Sequence, residues 1–297
     1  MGLDDAAAAA ATSDYPSVLE LLRDLVRTPS RGGIDDYGPV VRIVESWLCN
    51  AKLAPRVLNG PASPLAVVCD VASGSPGPDT IVVGGRGLLR VKITVFGQAD
   101  HSASRRGKVA NAVVKASRLV DALRVDDLGE VNDRFGLPPK LTVTSIRGGD
   151  PGSYSVVPDR CELEVDIRLT PSFDVDAAWS MLTSALAGLD RTSPAPRRST
   201  VERTSDPWPP FQLDSDHPLP AALRAAALGS GFDPVMVVAG PSNIGNLLAT
   251  HGIPATAGFG VRYRALHGTD ESIDLATVAP VQATYHRALL SLLRSTE

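Results

Sequence analysis

The chain contains five histidines, the side chains best suited to metal binding or proton transfer near neutral pH, and they are widely spaced. They form no H-x-E-x-x-H-like cluster, and no Ser-His-Asp arrangement, phosphate-binding loop or dinucleotide fingerprint stands out. A catalytic zinc needs about three protein ligands, an open position for water and a carboxylate that accepts the water's proton. Asp270 and Glu271 follow His267 in "LHGTDE" and could add ligands, but a single imidazole cannot hold a catalytic zinc.

The segment "VVGGRGLLRVKITVFG", residues 82–97, joins two strands of different character with almost nothing between them. The first strand ends an apolar run typical of a strand inside a parallel sheet, whereas residues 88–97 alternate between apolar and polar like a half-exposed strand. A parallel strand normally continues into a crossover helix. The glycine pair Gly84-Gly85 therefore marks a place where a longer connection is expected.

From residue 88 onward, the hydrophobic pattern predicts a strand, a helix, two strands, a second helix and a final strand. Their predicted bounds are 88–97, 107–124, 140–147, 161–169, 174–189 and 197–204. Strict alternation in "CELEVDIRL" is the strongest of these signals. The order βαββαβ predicts a ferredoxin-like antiparallel sheet with both helices on one face.

Elements of an α/β layer flank this insert on both sides. Helices are predicted at 15–27 and 39–53, followed by the apolar strands "LAVVCDVA" and "TIVVGG". After the Pro-rich linker "SDPWPPFQLDSDHPLP", three helices alternate with the strands "VMVVAG" and "ATAGFG"; the helices are predicted at 219–229, 242–251 and 274–294. We therefore predict an outer α/β domain, 13–86 and 206–297, interrupted by an α+β domain at 87–205, with residues 1–12 as a disordered tail.

Composition is that of an ordinary globular chain. A formal net charge of −4 with interspersed Lys and Arg argues against nucleic acid or an anionic membrane as partner. The three cysteines lie far apart within apolar stretches, which favours buried free thiols in a reducing cytoplasm. The N-terminal segment has acidic residues where a signal peptide needs basic ones. These features predict a cytoplasmic protein.

Four segments together resemble the M20 family of metallopeptidases and amidohydrolases, which includes acetylornithine deacetylase, succinyl-diaminopimelate desuccinylase, aminoacylase and carboxypeptidase G. They are "ELLRDLVRTPS", "VKITVFGQADHSASRRGKVANAVVKASRLVDAL", "IRGGDPGSYSVVPDRCELEVDIRL" and "GPSNIGNLLATHGIPATAGFGVRYRALHGTDESID". The resemblance implies a catalytic α/β domain interrupted by a ferredoxin-like lid through which the protein forms a homodimer. It also implies zinc or cobalt as cofactor, and an N-acyl amino acid or small peptide as substrate.

The same resemblance explains the short connection at residues 85–87. In the family, the strand matching "DTIVVGG" leads into a His-x-Asp motif, a bridging Asp, a Glu-Glu pair with the general base, and a further acidic ligand. Here Gly85 to Gly87 joins the two ends directly, so the centre of the metal site is missing. The chain is thus expected to retain a remnant of the catalytic domain around an intact lid.

The resemblance assigns roles to five residues that remain. His101 in "ADHSAS" matches the histidine that enters the partner's active site and polarises the scissile carbonyl. Arg168 in "DIRL" matches the residue that holds a substrate carboxylate, a task that suits a planar guanidinium. Ser155 replaces the family's Asn before V-[VI]-P, and Asn243 replaces an Asp at a helix start; both are assigned to substrate binding. His267 matches the last metal ligand.

Three hypotheses remain open at this point. The chain is an M20-like amide hydrolase, impaired because most metal ligands and the general base are absent, or active through recruited ligands. Alternatively, it is a non-catalytic dimeric binding or scaffold protein that keeps the lid and Arg168. The third hypothesis is metal-free chemistry in the old cleft by His101 and His267.

Overall fold

The structure is a computed structural model that describes residues 3–29, 35–50, 58–59, 64–65, 77–104, 109–123, 128, 131–265 and 270–294. Its helices are α1 (Leu3–Arg27), α2 (Gly38–Asn50), α3 (Ala112–Leu123), α4 (Val175–Thr192), α5 (Pro218–Gly229), α6 (Ile244–Thr250) and α7 (Val278–Arg294). Its strands are β1 (Leu58–Asn59), β2 (Pro64–Leu65), β3 (Thr80–Gly85), β4 (Gly87–Phe96), β5 (Asp100–His101), β6 (Lys140–Gly148), β7 (Val156–Val157), β8 (Arg160–Leu169), β9 (Thr200–Arg203), β10 (Phe211–Gln212), β11 (Val235–Ala239), β12 (Tyr263–Arg264) and β13 (Ser272–Ile273).

The predicted ferredoxin-like domain is confirmed. Strands β4, β6, β8 and β9 form a four-stranded sheet in the order β6-β8-β4-β9, with antiparallel pairing throughout. Alternate residues of β4 and β8 are buried and join α3 and α4 in one apolar core. The opposite face of the sheet carries the charged residues of the alternating pattern, so the period of two in the sequence places the core on the helix side.

Helix α3 begins later than its hydrophobic pattern predicts. The predicted helix starts at residue 107, whereas the observed one starts at Ala112. The side chain of Asn111 accepts hydrogen bonds from the backbone N–H groups of Val113 and Val114, at 2.9 and 3.2 Å. An Asn that binds the first free N–H groups fixes a helix start, and this local bond determines the boundary.

The short connection between β3 and β4 is built on close backbone contacts. Strand β3 pairs antiparallel with β10, a strand inside the segment predicted to be a linker, and it also neighbours β11. A Cβ on Gly84 or Gly87 would lie 2.7 or 2.5 Å from a backbone carbonyl oxygen of that segment. Glycine is therefore required on both sides of Arg86, because any side chain would push the strands apart.

The chain divides into two compact units. One comprises residues 1–81, 216–235 and 258–297, and the other comprises residues 82–215 and 236–257. The second unit contains the ferredoxin-like sheet together with β10, most of β11 and α6. The predicted domain bounds, 87–205 for the insert with 13–86 and 206–297 outside, stay a prediction.

Helices make up most of the described residues of the first unit. Trp47 of α2 donates a hydrogen bond to Ser17 of α1 at 3.1 Å, and Gln282 of α7 donates to Asp14 of α1 at 3.1 Å. Phe259 packs its ring edge-on against the ring of Tyr285, with centroids 5.8 Å apart. These contacts, together with the packing of α5 on α7, hold the helices together.

Three expectations from the sequence need correction or fall outside the described residues. Instead of a disordered tail, residues 3–12 belong to α1, because alanine is the best helix former and the alanine run buries Ala7 and Ala11, four residues apart, on one face. Cys161 is buried as expected, but Cys49 is exposed near the end of α2. The predicted strand at 65–72 lies outside the described residues beyond Leu65, as does Cys69.

None of the described helices is long and apolar enough to cross a membrane.

Candidate functional site

The site residues fall at opposite ends of the ferredoxin-like sheet. Arg168 on β8 pairs with Leu88 at the start of β4, whereas Arg160 pairs with Phe96 at the end of β4. His101 follows that far end on β5. Leu88 and Phe96 are eight residues apart, about 26 Å at the usual strand rise of about 3.3 Å per residue. One chain therefore does not bring Arg168 and His101 into one site.

His101 and Ser155 lie together at the far end. His101 pairs with Val156 in the β5–β7 ladder, and the backbone carbonyl of Ser155 accepts a hydrogen bond from Ser102 at 2.8 Å. The Nδ1 atom of His101 accepts from the N–H of Ala103 at 3.1 Å, which fixes the orientation of the ring. Both His101 and Ser155 are exposed. A histidine presented in this way can meet a group supplied by another molecule.

Arg168 lies at the near end, next to the β3–β4 connection. Its Nε donates to Asp166 at 2.8 Å and its Nη2 to the other oxygen of the same carboxylate at 3.3 Å. Its Nη1 donates to Ser242 Oγ at 3.2 Å, and that hydroxyl donates in turn to the carbonyl of Arg86 at 2.7 Å. The guanidinium is one-quarter exposed. It is held in place and still reaches solvent.

Arg86, the residue between the two strands, is a second guanidinium in the same place. Its Nε donates to the carbonyl of Gly240 at 2.8 Å, and its Nη1 donates to the carbonyl of Pro138 at 3.0 Å. Partial burial, and then the nearby charge of Arg168, lower the pKa of Arg86 from its usual value. Arginine keeps its charge in proteins, so the lowered pKa reflects a guanidinium that is partly buried and lies near a second cation.

Asn243 and Asn246, at the start of α6, contact the β3–β4 connection through buried hydrogen bonds. Asn243 caps α6 by accepting from the N–H of Gly245 at 2.8 Å, and the side chain of Asn246 accepts from the N–H of Asn243 at 2.7 Å. The Nδ2 of Asn246 donates to the carbonyls of Gly85, Arg86 and Pro209 at 3.3, 3.1 and 2.8 Å. Both side chains are buried, and Asn243 Nδ2 has no hydrogen-bond partner among the residues that the structure describes. The role of Asn243 in substrate binding stays a prediction.

The described residues do not fit a catalytic zinc. His267, the predicted metal ligand, lies outside them, and Asp270 and Glu271 are exposed. Within the ranges that the structure describes, no three His, Cys, Asp or Glu side chains come together as a possible metal site. A zinc needs about three such ligands, so no metal-dependent step is derived from the geometry.

Residues 83–192 match the M20 peptidase dimerisation domain. Two curated relatives are succinyl-diaminopimelate desuccinylases. The protein from Cereibacter sphaeroides is 25% identical over 70% of this chain and 52% of its own length, and that from Alteromonas mediterranea is 28% identical over 72% of this chain and 53% of its own. The dimerisation-domain match and the two desuccinylases support the resemblance of this chain to the M20 family of metallopeptidases and amidohydrolases.

Solved structures show the same fold. Aminopeptidase PepT from Bacillus cereus superposes with a TM-score of 0.62 at 19% identity, covering 75% of this chain and 56% of that one. A tripeptidase from Staphylococcus aureus gives a TM-score of 0.60 at 18% identity, covering 74% and 56%. The chain spans about half the length of the curated relatives it matches.

Sequence reasoning missed three residues of the near end. Arg86 stands between glycines in "GGRG", an unusual place for a charged residue in a strand connection, and this was the available signal. Asn243 and Asn246 have the three-residue spacing of a capping box, which could have indicated the role of Asn246. The role of Ser242 as a bridge between the two arginines depends on tertiary contacts and has no sequence signal.

Proposed function

We propose that this M20 chain is a homodimeric carboxylate-binding protein that is impaired in metal-dependent amide hydrolysis. Its ligand is an N-acyl amino acid or a small peptide, whose carboxylate binds Arg168. The observation that carries the proposal is the placement of Arg168 at an open end of the sheet, held by Asp166 and Ser242 with N–H donors left over. A guanidinium has five N–H donors, and the three contacts that Arg168 makes with described residues leave two for a ligand.

The proposed loss of hydrolysis is inferred from the metal ligands that the described residues offer. A metal-activated water requires clustered His and carboxylate ligands together with a base, and the described residues bring no such cluster together. Binding of a carboxylate by Arg168 needs no metal. The retained part of the M20 site therefore supports recognition without supporting the chemical step.

Assembly as a homodimer through the lid is the second part of the proposal. The match to a peptidase dimerisation domain supports it, and residues 88–124 are the proposed interface. Since Arg168 and His101 lie at opposite ends of the sheet in one chain, His101 reaches a carboxylate-binding site only if it belongs to a partner. The measurement is light scattering at micromolar concentration, and a strictly monomeric mass would contradict the interface.

Binding is tested by calorimetric titration of the wild type and Arg168→Ala with N-acetyl amino acids. A bidentate guanidinium–carboxylate contact contributes on the order of 1.5–3 kcal/mol, so the variant should bind roughly tenfold more weakly or worse. Equal or absent binding in both proteins would remove the carboxylate-binding function. A dimeric scaffold would then remain.

Active hydrolysis through recruited ligands is the second candidate, because both curated relatives are named as desuccinylases. An amide-release assay with added zinc or cobalt separates the two functions. We expect no turnover above the metal-only blank for N-acetyl and N-succinyl amino acids. Metal-dependent turnover would overturn the impaired function and restore the hydrolase.

A further inference from the structure

Strand β9 forms one edge of the ferredoxin-like sheet, where it pairs with β4. The N–H of Thr204 donates to the carbonyl of Arg90 at 3.0 Å, so the backbone of Glu202, two residues earlier, also points toward β4. The N–H and C=O groups of Val201 and Arg203 therefore point toward the open edge, and no described residue pairs with them. Such an edge can accept a further strand.

A groove of about 750 Å³ lies between β9 and α4. Its wall on α4 is formed by four residues spaced four apart, Trp179, Thr183, Ala187 and Arg191. Residues with this spacing lie in one row along a helix, about 6 Å apart, and alternate residues of a strand are about 6.6 Å apart. The guanidinium of Arg203 lies 5.1 Å from the centre of the Trp179 ring, which places β9 alongside this row. Alternate side chains of an added strand can therefore follow the groove.

Three arginines line the end of the groove where the connection from α4 enters β9: Arg191, Arg197 and Arg198. All three are exposed, and none forms an ion pair within the described ranges. Asp190 also lines the groove, but its carboxylate is bound by Lys115 at 2.8 Å. This end of the groove therefore carries positive charge without a carboxylate partner, in a chain whose formal net charge is −4.

These charges determine which kind of strand fits the edge. A second copy of the chain, paired β9 to β9 about a two-fold axis, would bring its own arginine end beside Arg203, and like charges opposite each other are destabilising. A nucleic acid strand would supply phosphates but no regular backbone partners for Val201 and Arg203. An extended peptide with acidic residues supplies both.

We propose that β9 and the groove beside it bind an extended acidic segment of a partner protein by strand addition. The segment lies antiparallel to β9, so its C-terminal end reaches the three arginines while its backbone pairs with Val201 and Arg203. In this recognition mode main-chain hydrogen bonds provide affinity and pockets for alternate side chains provide specificity. The site is separate from Arg168, which lies on β8, on the other side of β4. It does not depend on carboxylate binding by Arg168.

The first test uses the peptide acetyl-Thr-Val-Thr-Val-Glu-Glu-amide and a control peptide with Gln in place of both Glu residues. We expect fluorescence anisotropy with the whole 297-residue chain to show at least about fivefold tighter binding of the acidic peptide at low salt. This preference should shrink at high salt, because exposed charges are screened. Equal binding of the two peptides, or binding of neither, overturns the proposal.

The second test follows amide hydrogen exchange residue by residue in the wild type. A saturating amount of the acidic peptide should slow exchange at Val201 and Arg203 at least about fivefold, while β6, at the opposite edge of the sheet, stays within about twofold. Binding without this protection is attraction by charge alone and overturns strand addition. Protection of both amides before the peptide is added would show that the edge is already covered, which also overturns the proposal.

The third test removes charge from the groove. Arg191→Gln combined with Arg198→Gln should weaken binding of the acidic peptide roughly fivefold and change binding of the Gln peptide less than about twofold. Arg23→Gln combined with Arg27→Gln removes the same charge from exposed positions of α1 and is the matched control. Equal weakening in the two double variants contradicts the proposal.

Thermal unfolding verifies that each double variant folds, and the exchange experiment on the wild type decides the question if one does not. Oligothymidylate serves as the competitor from another class of macromolecule. If it binds the wild type more tightly than the acidic peptide and leaves exchange at Val201 and Arg203 unchanged, the groove binds nucleic acid and the proposal is wrong.

Discussion

Two groups of charged side chains in the same compact unit differ in whether every cation has a carboxylate partner. Between α3, α4 and β9, Lys115 is 1% exposed and contacts Asp190 at 2.8 Å, and Ser199 donates to Asp190 from both its N–H and its hydroxyl at 2.8 Å. At the β3–β4 connection, Arg168 is paired but Arg86 lacks a carboxylate among the described residues. A complete buried network stabilises the fold, whereas an incomplete network at the surface retains donors for a ligand.

This difference separates two parts of the ferredoxin-like domain. The lid has a continuous apolar core and a satisfied internal ion pair, which are the properties of a unit that holds its shape by itself. The charged groups at the end of β8 are only partly neutralised and lie where the sheet opens to solvent. The stabilising ion pair and the proposed binding site are therefore located in different parts of the ferredoxin-like domain.

The largest expected effect is on the complete network. Lys115→Met leaves the Asp190 charge partly buried without its cation, and removal of one partner of a buried pair costs about 3 kcal/mol of unfolding free energy. Chemical denaturation of the wild type and the variant measures this loss.

Arg118→Met on the same helix is the matched control. The side chain of Arg118 is exposed and its described contact is with Ser193 Oγ at 3.2 Å, so its loss should change stability by less than about 0.5 kcal/mol. Equal losses in the two variants would show that the Lys115–Asp190 pair has no special role in stability.

The pH dependence of stability sharpens the same contrast. Burial alone would raise the pKa of Asp190, but hydrogen bonds from Lys115 and Ser199 outweigh it and hold the pKa below its usual value. A depressed carboxyl pKa contributes stability that is complete above the unfolded-state value of about 3.9 and is lost as pH falls through the folded-state value. The stability difference between wild type and Asp190→Asn should therefore shrink below about pH 4, measured by denaturation from pH 7 to 2.5. A difference independent of pH would refute this linkage.

A smaller effect is expected at the incomplete network. Asp166→Asn removes the negative charge that is paired with Arg168. In the wild type this charge would repel a ligand carboxylate, and two like charges in contact in water repel each other by about 1 kcal/mol. The variant should bind N-acetyl amino acids roughly fivefold more tightly, since a factor of ten in affinity corresponds to about 1.4 kcal/mol. Calorimetry measures the gain, and weaker binding would indicate that Asp166 is needed to orient Arg168.

The sequence predicted regular elements better than it predicted the site. Strict alternation in β8 fixed the strand, its buried face and the βαββαβ order, because the period of two depends on local residues alone. The strand β10 was missed within a Pro-rich segment because its pairing depends on glycines more than 100 positions earlier in the chain. Arg86 was missed for the same reason, since its carbonyl partners at Pro138 and Gly240 lie on distant loops.

The smallest expected effect concerns the buried amide of Asn243. Its Oδ1 caps α6, whereas its Nδ2 has no partner within the described part of the chain, and an unpaired buried donor costs stability. Asn243→Ser retains an oxygen for the cap and removes the unpaired donor, but it leaves a small gap beside Gly85, where the Nδ2 atom lies 3.1 Å from the position of a Cβ. Ser and Asn cap helices about equally well, so the unfolding free energy should change by less than about 0.5 kcal/mol.

Asn243→Ala, which also removes the capping oxygen, should lose about 1 kcal/mol of unfolding free energy. If both variants lose the same amount in denaturant titrations, the helix cap is not what Asn243 contributes to stability.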